Sequence, residues 1–127
     1  MLNIVLVGVG GFAGSVMRYL TGVWVQQWLS EALFPFGTLL VNCIGCFVIG
    51  LVTHIAETKG MFVHEGRLFM VVGFLGGFTT FSSFGHETLV LIRDNHMAHA
   101  FANVSAHLFL GLLAVWLGWR VIALHGN

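Results

Sequence analysis

The chain has 127 residues, of which 57% are hydrophobic and only 8% are charged, and its mean hydropathy is +0.93. A soluble domain of this length carries roughly a quarter charged residues, because its surface must stay hydrated. Five Lys or Arg residues balance five Asp or Glu residues, which argues against the basic face that a nucleic-acid partner requires. The composition therefore predicts an integral membrane protein that has a lipid bilayer as its partner.

The charged residues are spaced so that long segments contain none. Asp, Glu, Lys and Arg are absent from 1–17, 32–56, 68–86 and 95–119. Because about 20 apolar residues in a helix cross a hydrocarbon core, we expect an all-α protein with four transmembrane helices. These spans 1 to 4 are predicted at 2–27, 37–57, 67–92 and 97–123, within one domain over 1–127. We find no alternation typical of a transmembrane β-barrel and expect no removable signal peptide at the N-terminus.

The predicted connections at 30–36, 58–66 and 93–96 are short. Short connections join antiparallel neighbours, so we expect an up-down-up-down bundle with both termini on one side of the membrane.

The Lys and Arg residues specify the orientation of this bundle only weakly. Lys59, Arg67 and Arg120 fall on the side of the termini, whereas Arg18 and Arg93 fall towards the other side. Orientation follows the Lys and Arg content of short loops, and this difference is small. The chain is therefore expected to insert both ways, which would permit an antiparallel homodimer.

Span 3 contains two adjacent glycines, Gly76 and Gly77, followed by hydroxyl residues. Each glycine weakens a helix by about 1 kcal/mol relative to alanine. Irregular backbone at membrane depth persists only where it is buried in protein or lines an aqueous path, and such broken helices offer carbonyls and amides to ions. We therefore predict a break in span 3. The alternative is an unbroken helix whose Ser and Thr hydroxyls bond to carbonyls one turn earlier.

Aromatic and hydroxyl side chains alternate after the glycines. Phe81 and Phe84 share one helix face; such a pair usually forms core, but the positive edge of an aromatic ring can also contact an anion. Ser82 and Ser83 add hydroxyl donors, and no Lys or Arg lies in this run. An anion would therefore be held by dipoles, which suits permeation because binding must be weak enough for release.

Three polar residues elsewhere in the spans are further candidates. Asn42 is a lone amide in an apolar run and could simply hydrogen-bond to another helix. Arg18 and Glu87 are the ionisable residues nearest the membrane interior, where such groups are functional candidates by default.

The run Gly76-Gly77-Phe78-Thr79-Thr80-Phe81-Ser82-Ser83-Phe84 resembles the signature of the Fluc/CrcB fluoride channel family, Gly-Gly-Leu-Thr-Thr-Phe-Ser-Thr-Phe. It departs from that signature at Phe78 and at Ser83, which keeps a hydroxyl. Segments 11–18 and 37–42 and the position of Glu87 also match in order and spacing. The resemblance extends over essentially the whole chain.

The resemblance implies a dual-topology antiparallel homodimer with two pores that conduct fluoride passively across the cell membrane, in bacteria the inner membrane. It implies a structural sodium ion held by the backbone carbonyls of Gly76 and Thr79. Phe81 and Phe84 would flank the fluoride path and Asn42 would line the pore. A row of polar side chains beside the rings would comprise Ser82, Ser83 and Glu87. Arg18 lies in the matching segment of span 1, and the resemblance implies a structural role for it.

Span 4 matches the family least well. Gly111 replaces a serine common in the family, and the polar residues present are Asn103, Ser105 and His107. No residue of span 4 is therefore assigned to the pore.

Other functions fit the sequence less well. A proton-coupled exporter of small cations, of the small multidrug transporter type, would depend on a carboxylate in span 1, whose only charge is Arg18. A structural subunit of a larger complex would leave the cluster in span 3 unexplained. His96 and His99 are interpreted as solvated interfacial residues, and Cys43 and Cys46 as packing residues rather than metal ligands. No nucleophile–base pair indicates an enzyme.

Overall fold

The computed structural model describes residues 1–60 and 64–125, and these residues form a helical bundle. The helices are α1 (Leu2–Trp28), α2 (Phe36–Lys59), α3 (His64–Arg67), a π-helical stretch (Leu68–Leu75), α4 (Gly76–Phe78), α5 (Phe81–Arg93) and α6 (Met97–His125). Span 3 thus comprises α3, the π-helical stretch, α4 and α5. The predicted 58–66 connection includes residues 61–63, which lie outside the described residues.

Four helical segments are long and apolar enough to cross a membrane. They are Leu2–Trp28, Phe36–Thr58, His64–Arg93 and Met97–Ala123. Their bounds differ from the predicted ones by a few residues at most, so the prediction of four spans is confirmed. The agreement is close because length and lack of charge are the two properties that a bilayer imposes on a helix.

Residues with particular backbone conformations lie at the helix ends, near the predicted connections. Gly60 caps α2 in the left-handed conformation with φ 58°, which glycine adopts without steric cost. Asn95 has φ 60° between α5 and α6, and asparagine tolerates this region better than most residues. Pro35 precedes α2, where its missing N–H removes no helical hydrogen bond.

Glycines bring the backbones of neighbouring helices into contact. A Cβ atom at Gly10 or Gly14 of α1 would clash with the backbone of span 3, and one at Gly50 or Gly118 would clash across the α2–α6 pair. Without a hydrophobic driving force in lipid, helices associate through such close packing. The bundle is therefore built from two closely packed pairs, α1 with span 3 and α2 with α6.

Apolar side chains dominate the outside of the bundle. Phe12 is 73% exposed and Phe101 is 76% exposed, whereas the buried Asn103 is 0% exposed. Trp28 lies at the end of α1 and Trp119 lies towards the end of α6, at the two levels where tryptophan is enriched in membrane proteins. This distribution suits a protein whose surroundings are hydrocarbon rather than water.

Candidate functional site in span 3

Span 3 is interrupted about halfway along its length. Thr79 (φ −82°, ψ 157°) and Thr80 (φ −151°, ψ 112°) are extended, and they separate α4 from α5. The predicted break is therefore present. It removes backbone hydrogen bonds at a depth where no water replaces them, so other protein groups must satisfy the released donors and acceptors.

The break follows the adjacent glycines instead of coinciding with them. Gly76 and Gly77 are both helical and belong to α4. A Cβ at Gly77 would clash with the carbonyl of Gly11 in α1, whereas a Cβ at Gly76 would meet nothing closer than 3.9 Å. The second glycine is thus explained by close packing against α1, and low helix propensity does not locate the break.

Asn42 of α2 satisfies the backbone at the break. The Thr80 N–H donates to Asn42 Oδ1 at 2.8 Å, and Asn42 Nδ2 donates to the Thr80 carbonyl at 3.1 Å. A helical Thr80 would donate to the Gly76 carbonyl four residues earlier, so this pairing releases that carbonyl. Asn42 holds the extended conformation in place in addition to lining a cavity beside it.

Arg18 of α1 reaches the same break. Its guanidinium nitrogen lies 3.4 Å from the carbonyl oxygen of Thr79, to which it donates. A carbonyl has two lone pairs, so this contact leaves one for a second partner. The carbonyls of Gly76 and Thr79, predicted to bind sodium, are therefore not saturated by helical bonding and offer the neutral oxygen ligands that suit a hard cation.

Hydroxyl groups cluster where α5 begins. Thr80 caps this helix, since its Oγ1 accepts the Ser83 N–H at 3.2 Å. The same oxygen donates to Ser83 Oγ at 3.0 Å and lies 3.3 Å from Ser82 Oγ. The structure thus brings the two predicted serines together around Thr80, which places three hydroxyl groups beside the break.

A polar cavity of about 390 Å³ opens on one side of these hydroxyls. We call it the vestibule; its polar lining includes Arg18, Thr38, Thr80, Ser83 and Glu87. The Thr38 hydroxyl donates to Glu87 Oε1 at 2.5 Å. Glu87 Oε2 is buried and, among the residues that the structure describes, has no hydrogen-bond partner. Glu87 therefore lies in the same cavity as Ser83, with Thr38 as its donor.

An apolar groove of about 590 Å³ lies on the other side of Thr80. We call it the aromatic groove; Asn42, Thr80, Phe81, Phe84 and His107 are among its lining residues. The rings of Phe81 and Phe84 have centroids 5.3 Å apart, so the predicted pair is assembled on one face. The Phe81 side chain is 82% exposed, so it does not belong to the core of a single chain.

Three side chains at the site were not assigned from the sequence. Thr38 precedes Asn42 by four residues, so their shared face of α2 could have indicated it. Asn103 of α6 donates to Thr88 of α5 at 2.9 Å, and His107 packs against Phe84. No spacing within α6 indicates these last two contacts, because they depend on how α6 packs against α5.

The fold and site together define a multi-pass membrane protein of a transport class. One of its four spans is interrupted, and hydroxyl, amide and aromatic groups line the cavities beside the interruption. These are the groups that membrane transport proteins use to replace an ion's hydration shell.

Sequence comparison identifies the family. Residues 5–119 match the family described as CrcB-like protein, Camphor Resistance (CrcB), and the chain belongs to this family. The protein named fluoride-specific ion channel FluC 3 of Methanosarcina barkeri is 41% identical over 121 residues, which are 95% of this chain and 90% of that protein. A fluoride-specific ion channel FluC of Thermus thermophilus is 47% identical over 116 residues, 91% of this chain and 90% of that protein.

Proposed function

We propose that this protein is a fluoride-selective channel that exports fluoride passively and so lowers its concentration in the cytoplasm. Family membership and the names of its relatives support this function. The observation that carries it is the position of Thr80, which lines both the vestibule and the aromatic groove. Thr80 joins the two cavities, and the hydroxyls of Ser82 and Ser83 beside it are the donors that an anion would meet there.

The lining explains how a strongly hydrated anion would lose its water. Donors must replace the hydration shell of the ion, and Ser82 and Ser83 supply hydroxyls beside the break, whereas the Thr80 hydroxyl already donates to Ser83 Oγ. The ring edges of Phe81 and Phe84 carry positive partial charge and continue the path in the groove. Arg18 attracts anions to the vestibule without entering the groove, so binding remains weak enough for release.

The working unit in this proposal is an antiparallel homodimer with two pores. The near-even Lys and Arg distribution supports insertion in both orientations, and the exposed Phe81 ring is suited to cover by a second copy. Two copies would also complete the cation site, to which each chain would contribute the carbonyls of Gly76 and Thr79. A two-fold axis through the break would double this set around a structural sodium ion that is not transported.

No energy source other than the membrane potential is required. A negative interior drives an anion outward by about 2.3 kcal/mol per charge per 100 mV. The cation-exporter alternative receives no support from the family, and α1 carries no carboxylate. We place the protein in the cell membrane, in bacteria the inner membrane, with a transport role and no enzymatic one.

Fluoride efflux from liposomes tests the proposal. Vesicles that contain the purified protein are loaded with fluoride or chloride, and efflux is followed with an ion-selective electrode in the absence of a proton gradient. We expect fluoride efflux well above that of protein-free vesicles and chloride efflux close to it. Equal rates for the two anions, or efflux that requires a proton gradient, would refute a fluoride-selective passive channel.

A further inference from the structure

His107 brings an imidazole from α6 into the aromatic groove. Its ring centroid lies 4.4 Å from that of Phe84, with 44° between the ring planes. His107, Phe84 and Asn42 line the same cavity. A titratable side chain of span 4 thus lies directly beside the rings past which an anion would move.

A backbone carbonyl fixes which nitrogen of this imidazole carries hydrogen. His107 Nδ1 lies 3.0 Å from the carbonyl oxygen of Asn103, one helical turn earlier. A carbonyl oxygen only accepts hydrogen bonds, so Nδ1 is the protonated nitrogen. In the neutral ring Nε2 then holds a lone pair and cannot donate.

The other nitrogen of this imidazole has no hydrogen-bond partner in the described part of the chain. His107 Nε2 is buried and has no hydrogen-bond partner within residues 1–60 and 64–125. When the ring is neutral, His107 adds no net charge beside Phe84. When a proton binds Nε2, the ring becomes a cation, and charged donors form the stronger hydrogen bonds.

The titratable groups around His107 come from two neighbouring helices. On α5, Glu87 interacts electrostatically with both His107 and His86, and its Oε1 accepts the Thr38 hydroxyl. On α2, the free thiol of Cys46 lines the same groove. Arg18 of α1 lies on the vestibule side of the break, at the Thr79 carbonyl.

We propose that His107 is a proton-operated switch in the anion path. The neutral ring adds no charge beside Phe84, and the imidazolium places a positive charge at that point, which attracts an anion. This inference rests on the proposed channel function and adds a residue and a form of regulation that passive export does not require. Its consequence is that fluoride export accelerates when the groove becomes acidic.

The predicted dependence follows from ordinary imidazole chemistry. Flux should increase as pH falls between about 8 and about 5, the range in which histidine changes charge. Flux through the native protein should rise severalfold across this range, because more channels then carry the imidazolium.

Three variants distinguish the switch from a packing role. His107→Gln retains an N–H donor at every pH and has no titrating nitrogen, so its flux should not depend on pH. His107→Phe retains a ring against Phe84 and removes the donor, so its flux should be low throughout. His99→Gln makes the same chemical change near the start of α6, outside the groove, and should keep the native pH profile.

Fluoride efflux from liposomes at equal internal and external pH is the measurement. The rate of protein-free vesicles is subtracted at each pH, because neutral hydrogen fluoride crosses bilayers unaided, and size-exclusion profiles verify that each variant is folded. A flat profile for the native protein, or a native-like profile for His107→Gln, would overturn the switch while the channel function stands. Absence of fluoride efflux from the native protein at every pH would refute the channel function and the switch with it.

Discussion

The side-chain amide of Asn42 pairs with the backbone of Thr80 as a neighbouring β-strand would. One hydrogen bond of 2.8 Å and one of 3.1 Å link the amide to the N–H and the carbonyl of the same residue. Thr80 is 8% exposed, so neither backbone group has ready access to water. This pairing accounts for an interrupted helix at a depth where unsatisfied backbone is costly.

Substitution of Asn42 should therefore affect both folding and flux. Asn42→Leu leaves a buried donor and acceptor unpaired, which costs about 1–3 kcal/mol for each group. Asn42→Asp retains an acceptor for the Thr80 N–H but loses the donor to its carbonyl, and an ionised carboxylate would repel an anion in the groove. We expect lower thermal stability for the leucine variant and impaired fluoride efflux for both.

Asn95→Asp is the matched control for the charge. Asn95 is exposed and has positive φ, which aspartate also tolerates. Native stability and efflux are expected for this variant. If Asn42→Asp and Asn42→Leu behaved like the control, the amide would be unnecessary for the break and for the path.

The two adjacent glycines of α4 should respond differently to alanine. Gly77→Ala places a methyl group against the Gly11 carbonyl of α1, and such overpacking costs about 1–3 kcal/mol. Gly76→Ala makes an ordinary contact within its own chain, 3.9 Å from the Val71 carbonyl oxygen, and gains up to about 1 kcal/mol of helix propensity. Thermal unfolding in detergent should show a lower midpoint for Gly77→Ala and an unchanged or higher one for Gly76→Ala. An equal increase in the midpoint for both variants would mean that close packing against α1 does not explain Gly77.

This pair of glycines illustrates how far the sequence could predict the structure. The four spans were predicted correctly because gaps between charges and segment length are properties of the chain alone. A break in span 3 was also predicted, but Gly76 and Gly77 are helical and Thr79 and Thr80 are extended. The break depends on Asn42 reaching across from α2, and no local pattern in span 3 encodes that contact.

The candidate site was predicted to a similar extent. Phe81 and Phe84 share a face because their spacing requires it, and the serines cluster because they flank the cap of α5. The bond from Thr38 to Glu87 and the contact of His107 with Phe84 join residues that lie 49 and 23 positions apart in the chain. Such pairs follow from how the helices pack, which neither spacing nor residue type determines.

Removal of sodium should weaken the assembly if a cation binds at the break. The Gly76 carbonyls would then face one another across the dimer without a compensating charge, and the Thr79 carbonyls would keep only the contact with Arg18. Complete replacement of sodium by a large organic cation should lower both fluoride efflux and the thermal stability of the dimer, with recovery when sodium is restored. Unchanged efflux and stability would contradict a structural sodium site.

Insertion in both orientations is a separate prediction of the antiparallel arrangement. A reporter that is active only in the cytoplasm and one that is active only outside it, each fused after Asn127, should both give signal. Addition of two lysines next to Lys59 should bias the chain towards one orientation and reduce export unless a copy with the opposite bias is supplied. Signal from one reporter alone in the native protein would exclude an antiparallel homodimer.

The last prediction concerns the aromatic pair. Phe81→Ile and Phe84→Ile keep the apolar character of the side chain and remove the positive ring edge. If the rings only filled space, apolar substitutions of this kind would cost less than about 1.5 kcal/mol and leave transport intact. We expect instead a folded dimer with severely reduced fluoride efflux for each variant.

Phe101→Ile provides the comparison, since Phe101 is similarly exposed on α6 but does not line the groove. It should retain native efflux and a native size-exclusion profile.

Phe81 is suited to contact an anion or a second copy because its ring is 82% exposed, whereas Phe84 is also held against His107. Phe84→Ile should therefore alter the pH profile as well as the rate, and Phe81→Ile the rate alone. Native efflux from both groove variants would remove the rings from the anion path.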